Sequence, residues 1–309
     1  MRIAVIGAGG VGGYFGGRLA QAGADVTLVA RGAHRDAIRA EGLRLVSPQG
    51  DALVRLPVVD DPAAIGPVDV ALVAVKLWDT AVALARAGPL LGPDTVVISF
   101  QNGVAKDDEL RAAVGAEHVA GGLCYVSAVI ERPGVVRQTG SMQRIVVGEY
   151  GAASVSARLE AFVAACRAAA LDAAIAPDVE RALWEKFVFL AGLSGATCAV
   201  RQPVGVVRAE PRARALLEAL FRETVAVGRA RGVNLDPDYA ADRLAFCDAL
   251  PPATTSSMHG DLERGNRLEL PWLQGALAEM GRAASVPTPA TDFVLGVLSV
   301  YANGTPVPA

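Results

Sequence analysis

The first twelve residues, Met1-Arg-Ile-Ala-Val-Ile-Gly7-Ala-Gly9-Gly10-Val11-Gly12, run an apolar strand into Gly-x-Gly-x-x-Gly and on into a helical pattern. Each glycine of that pattern answers a separate steric demand. Gly7 permits a tight turn off the strand, Gly9 lets backbone approach a pyrophosphate, and Gly12 lets the helix pack close to the strand. Gly10 and Val11 open the helix whose unpaired N–H groups would face the phosphates. Ile3, Val5 and Ile6 before the turn, with Val11, Phe15, Leu19 and Ala20 at helical spacing after it, supply the context that a bare glycine-rich turn lacks. The start of the chain therefore predicts a dinucleotide site.

A second strand, Asp25–Val29, leads into Ala30-Arg31-Gly32, where an NAD-binding fold ordinarily places an acid for the ribose 2′-hydroxyl. Arginine stands there instead. A guanidinium makes a forked, charge-assisted contact to a 2′-phosphate and cannot accept a hydrogen bond from a ribose diol, so NADP(H) is the expected cofactor. The other reading of Arg31 is a solvated loop residue.

With 309 residues, 52% of them hydrophobic, the chain can bury a large core and is expected to make two domains. Charged residues are 20% and the net charge is −3, which leaves no basic field for a polyanion, so nucleic acid is not expected as a partner. Cys124, Cys166, Cys198 and Cys247 are too dispersed for a zinc site or a disulfide scaffold, and no metal is expected. The N-terminus enters a strand with no basic stretch ahead of it, and the richest apolar run, Phe187 to Val200, is bounded by Lys186 and Arg201. A soluble cytoplasmic protein without a membrane partner is the expectation.

Strand and helix alternate through the first half, which predicts an α/β, Rossmann-like doubly wound parallel sheet. Residues 42–46 and 52–56 look like a hairpin inserted into it; Val68–Val75 and Thr95–Ser99 are runs suited to burial on both faces. Further strands are expected at 119–130, 135–138, 144–148 and 172–176, with a helix around 154–170. After Pro177 helical patterns take over, so the division predicted is a cofactor domain over 1–177 and an all-helical substrate or dimerisation domain over 178–309. The apolar stripe Phe293–Val300 suits either the interface of a homodimer or an internal core.

Ligands of open parallel sheets gather at the carboxyl ends of strands, where Lys76 and Asn102 both stand. A snorkelling strand-end lysine and an ordinary Asn-Gly turn are the plainer readings. In the helix from Val179, Lys186, Leu190, Ser194 and Thr197 share one face at spacings of four, four and three. Among Trp184, Phe187, Val188 and Phe189 a lysine is poorly hydrated, which favours its neutral form and suits a proton donor; a stem laid over apolar surface is the alternative. Thr254-Thr255-Ser256-Ser257-Met258 opens a helix with hydroxyls that suit a carboxylate, and Glu269 precedes Leu270-Pro271. Capping by Ser256 or Ser257 is the simplest reading of those residues taken alone.

In order, Gly7-Ala-Gly-Gly-Val-Gly12, Val75-Lys76, Gln101-Asn102-Gly103, Trp184-Glu-Lys186, Ser256-Ser257-Met258 with Asp261, and Glu269 resemble the ketopantoate reductase family, the 2-dehydropantoate 2-reductases, over essentially the whole chain. The resemblance implies NADPH-dependent reduction of a 2-oxo acid to a 2-hydroxy acid between a Rossmann domain and a helical one. It further implies Lys186 as proton donor, Asn102 at nicotinamide and substrate, Lys76 and the backbone of Ala128 at the cofactor, Glu269 near the nicotinamide ribose and the lysine, and Ser257 at the substrate carboxylate, with Thr255 and Ser194 as further substrate contacts. Leu190, Ser194, Val204 and Thr254-Thr255 stand where members that reduce ketopantoate often carry asparagine. A leucine makes no hydrogen bond to a hydroxyl, so these departures bear on the hydroxyl end of the substrate. A reductase of another small carbonyl or imine, and a non-catalytic NADPH-binding sensor, are the alternatives.

Overall fold

The computed structural model describes residues 1–151 and 155–306. The chain divides between Val179 and Glu180 into a sheet unit and a helical unit, with Gly103–Ala105 grouped with the second.

The sheet unit runs β1 (Arg2–Ile6), α1 (Gly10–Gln21), β2 (Asp25–Val29), α2 (Gly32–Glu41), β3 (Leu43–Val46), β4 (Ala52–Val54), β5 (Val58–Val59), β6 (Val70–Val73), α3 (Thr80–Leu84), β7 (Val96–Ser99), α4 (Lys106–Val114), β8 (Val119–Arg132), β9 (Val135–Gly148), α5 (Ala157–Ala168) and β10 (Asp172–Ile175). Its ten strands follow the order β4-β3-β9-β8-β7-β6-β1-β2-β5, with β10 on β9. From β8 through β5 every pairing is parallel, the doubly wound half; β8 with β9 and β3 with β4 are antiparallel. Alternate residues of the central strands feed opposite layers. Ile3, Val5, Leu72 and Ile98 pack with Phe15 and Leu19 of α1, whereas Ala4, Ile6, Val73 and Val97 pack with Leu84 and Leu110.

Several sequence expectations are corrected here. The pieces at 135–138 and 144–148 form one strand, β9, whose polar middle bulges away from β8 between the Gln143 and Gln138 pairings. The bulge is held by Ser47 Oγ donating to Gln138 Oε1 at 2.6 Å and Gln138 Nε2 donating to the Met142 carbonyl at 2.8 Å. The two-residue connection Pro133-Gly134 turns β8 into β9, Gly134 taking φ 78° where most residues are strained. β5, α3 and α4 were not anticipated, and the start of the helix expected at 154 lies outside the described residues.

The helical unit comprises α6 (Val179–Val200), α7 (Val204–Ala209), α8 (Pro211–Ala230), α9 (Tyr239–Ala249), α10 (Ser257–Glu263), a π-helical turn Pro271–Gly275, α11 (Ala276–Ala283) and α12 (Pro289–Leu298). α6 is its axis: Trp184, Phe187, Val188 and Ala196 join Leu217, Leu220 and Phe221 of α8 and Leu273 and Leu277 in one core. At 22 residues this helix is long and apolar enough to cross a membrane, which the run read from sequence was not, but 67% of its most apolar window is buried inside the protein. Of the stripe at the end of the chain, Val294 and Leu298 enter the core while Phe293, Val297 and Val300 stay exposed.

Candidate active site

The glycine turn is built as a cradle. Gly7 takes φ 102°, and a methyl group on it would meet the Val75 backbone nitrogen at 2.7 Å. A methyl on Gly12 would lie 2.0 Å from the Gly7 carbonyl oxygen, so the helix reaches this depth only without a side chain. Around Gly9 nothing lies within 4 Å of such a methyl, leaving its backbone open to an approaching group. Gly10 presses on Ala128: a methyl there would sit 2.0 Å from the Ala128 carbonyl oxygen. α1 follows the N-cap Gly9 with no side-chain cap and no acid in its first turn, so no carboxylate of its own first turn competes for its leading N–H groups. A backbone cradle of this kind fits a pyrophosphate.

His34 fastens the cradle from behind. The Gly134 N–H donates to Nδ1 at 3.1 Å, which leaves Nε2 to donate to the Ala8 carbonyl at 2.9 Å and fixes a neutral tautomer. Burial lowers the imidazole pKa further than the bond to Ala8 raises it.

Lys76 and Asn102 leave adjacent parallel strands, β6 and β7. Gln101, only 6% exposed, ties the two exits together: its Nε2 donates to the Val75 carbonyl at 2.9 Å and to Thr80 Oγ1 at 2.7 Å, while its Oε1 accepts from Ser99 Oγ at 2.9 Å. Sequence reasoning passed over it in favour of its neighbour; an amide at the end of a wholly buried strand is the signal that was available. Lys76 is exposed, its ammonium 5.5 Å from the centre of the Trp78 ring. Arg31, at the exit of β2, donates to Asp79 at 2.8 Å.

Four residues beyond Asn102 lies a second feature that the sequence concealed. Lys106 and Asp107 form an ion pair at 2.9 Å with side-chain exposures of 0% and 1%. Lys106 also donates to the Gly122 carbonyl at 3.1 Å, and Tyr150 donates its hydroxyl to Asp107 at 2.6 Å. Burial, then the Asp107 charge, pushes the Tyr150 phenol strongly up, so it remains a donor. Asn102 is thus followed at once by a fixed point of the sheet unit, whereas Gly103–Ala105 between them belong to the helical unit, with Val104 against its core.

The remaining predicted residues lie in the helical unit. Lys186 is half-buried on the second turn of α6, flanked by buried Trp184 and Phe187, whose rings meet edge to face at 5.6 Å. Of the residues on its face, Leu190 is half-buried, Ser194 and Thr197 fully buried. Thr197 donates its hydroxyl to the Leu193 carbonyl of its own helix, a structural use. Ser194 Oγ has no hydrogen-bond partner, and neither has Oε1 of the buried Gln274, whose Nε2 donates to the Ala191 carbonyl at 3.0 Å. Unpaired buried acceptors and hydroxyls cost about 1–3 kcal/mol each, a cost that a polar ligand would offset. Gln274 clamps the π-helical turn to α6, and Glu269, 7% exposed, lies just before that turn.

At α10 the cap is Ser256, which accepts the His259 N–H at 3.1 Å; Ser257 opens the helix and is exposed, as is Thr255. The preceding loop is pinned by the Val204 and Gly205 N–H groups, which donate to the Thr254 and Pro252 carbonyls at 2.9 Å. Val204 itself is core. Burial pushes the thiols of Cys166 and Cys198 up to about 12 and that of Cys247 up to about 11, and they act as small apolar residues.

A phosphate cradle on the first turn of a doubly wound sheet, joined to a helical unit built around one lysine-bearing axis, defines a nicotinamide-dinucleotide oxidoreductase. A family model described as ketopantoate reductase PanE/ApbA matches residues 3–152, and one for the C-terminal part of the same enzymes matches residues 178–302. The chain belongs to the ketopantoate reductase family. It is 30% identical to an uncharacterized oxidoreductase, YkpB, of Bacillus subtilis over 97% of this chain and 99% of that protein. To a 2-dehydropantoate 2-reductase of Halobacterium salinarum it is 32% identical, over 94% and 95% of the two chains. The crystal structure of a PanE/ApbA family ketopantoate reductase from Ralstonia eutropha superposes with TM-score 0.88 at 32% identity, covering 98% of both chains.

Proposed function

We propose that the chain reduces a 2-oxo acid, ketopantoate or a near relative, to the 2-hydroxy acid with NADPH. The family match across both units carries this reading, and the cradle at Gly7–Gly12 fits the dinucleotide. Bound there, a reduced nicotinamide supplies the hydride. Gly7, Gly9, Gly10, Val11, Gly12 and the Ala128 backbone hold the pyrophosphate end, Arg31 the 2′-phosphate, and Lys76 and Glu269 contact the cofactor further along. Asn102 orients the substrate carbonyl. Lys186 Nζ delivers a proton to the carbonyl oxygen as negative charge develops there, and Glu269 positions that amine. Ser257, Thr255 and Ser194 hold the acid. The enzyme works in the cytoplasm, as a homodimer through the stripe at Phe293, Val297 and Val300.

The test is NADPH consumption with ketopantoate and with 2-oxo acids that lack its hydroxyl, since Leu190 offers a hydroxyl nothing. Turnover of at least one such acid is expected. NADPH that binds but is consumed with none of them would make the chain a sensor. Arg31→Ala is expected to raise the KM for NADPH roughly tenfold or more, the worth of one charge-assisted contact, and to leave that for NADH nearly unchanged. Equal effects on the two would remove Arg31 from the 2′-position.

A further inference from the structure

Beside the cradle, Arg31, Arg35 and Arg86 face Asp36, Asp60, Asp61 and Asp79: Arg31 bonds Asp79, Arg35 bonds Asp36 and Asp60, and Arg86 lies 3.4 Å from Asp61. With Lys76, three residues before Asp79, the cationic groups only equal the four carboxylates, so these residues carry no surplus of positive charge for a phosphate monoester. Asp79 is the informative member. It occupies the N-cap position of α3, where a carboxylate ordinarily accepts an N–H of its own helix, yet it makes no such bond. Its side chain is instead spent on Arg31, 48 residues away, at 2.8 Å. Asp79 is 28% exposed and Arg31 79%, so the carboxylate is the seated partner and the arginine the adaptable one.

We infer that Asp79 is a specificity-determining residue that sets the balance between phosphorylated and unphosphorylated dinucleotides, by seating a carboxylate against the guanidinium that a 2′-phosphate requires. The inference rests on the assignment of Arg31 to the adenosine ribose. A 2′-phosphate, with a charge of about −1.5 to −2 by analogy with other phosphate monoesters, must share the guanidinium with Asp79, which holds one of its N–H groups, and so lie beside a like charge. NADH presents a neutral hydroxyl that donates, which the same carboxylate tolerates. Asp79 therefore penalises NADPH alone, and the chain accepts NADH more readily than Arg31 by itself implies.

The measurement is the dissociation constant of each dinucleotide, read by fluorescence titration of the purified full chain without substrate, for wild type, Asp79→Asn and Asp79→Ser. In both variants the preference for NADPH over NADH is expected to rise about tenfold, through tighter NADPH binding. A rise of less than about threefold overturns the inference, as does loss of NADH binding in both variants, which would make Asp79 a residue for any dinucleotide. A wild-type chain that binds neither dinucleotide overturns the function proposed above and this inference with it; a wild type that binds both, with an unmoved preference in the variants, overturns this inference alone.

Discussion

Lys186→Ala is expected to lower turnover by about 10²–10⁴ while the dissociation constant for NADPH stays near its wild-type value, the worth of one positioned general acid. The size of the effect follows from what holds the amine. α6 is the axis of the helical core, and on either side of Lys186 the Trp184 and Phe187 rings lock the turn that carries it. Trp184 in turn fills the space over Gly228 of α8, where a methyl group would lie 2.7 Å from its ring, so the turn has little room to rotate. A side chain set on so fixed a base loses little entropy on meeting a developing charge. Truncating it removes the proton and leaves the core beside it intact. Steady-state kinetics with a parallel NADPH titration decide the matter: near-normal turnover would take Lys186 out of the mechanism, and a parallel loss of NADPH binding would make it a structural residue.

Asp107→Asn is expected to destabilise the fold by about 3–5 kcal/mol, the usual consequence of leaving one member of a buried ion pair uncompensated. Lys106 has 0% side-chain exposure, and it would be left with neutral acceptors only, the Gly122 carbonyl and the amide oxygen of the new side chain. Tyr150 loses its charged acceptor as well. Urea unfolding reads the change directly as a fall in midpoint at constant slope. Replacing the pair together, by Lys106→Met with Asp107→Leu, is expected to recover most of the loss, because the desolvation cost disappears along with the attraction. A single-variant loss below about 1 kcal/mol would mean that water reaches the pair. Because α4 begins at Lys106, the same substitution loosens the chain just after Asn102, and catalysis is expected to weaken before the fold is lost.

What the sequence made legible was local. The glycine turn, the wholly apolar strands and the polar residues at their ends each rest on a few consecutive positions, and the structure has β1, β6 and β7 where those patterns lie. The hidden parts depend on partners far along the chain. Nothing in the run Lys106-Asp107-Asp108-Glu109 singles out its first two charges, and only the proximity of Gly122 and Tyr150 shows that they are buried. Asp79 gives no sign in the sequence of its bond to Arg31, 48 residues away. β9 was divided because Thr139, Gly140, Ser141 and Gln143 interrupt its apolar pattern, and the hydrogen bonds from Ser47 and Gln49 that hold its bulge come from another strand pair. The π-helical turn at Pro271–Gly275 lies within the helical patterns expected after Pro177, since the spacing of its apolar residues does not distinguish the two kinds of helix. Ser194 was legible as a polar residue on the lysine's face; that its hydroxyl is buried without a partner was not.

The central claim is that this chain moves hydride from a reduced nicotinamide to the carbonyl carbon of a 2-oxo acid. It is tested most directly by incubating the protein with ketopantoate, or with the best acid of the panel, and NADPH carrying deuterium at both C4 positions, and following the product by NMR. Deuterium at C2 of the 2-hydroxy acid is the predicted result. A product without deuterium at that carbon, or label that stays on the dinucleotide with every acid offered, would contradict it.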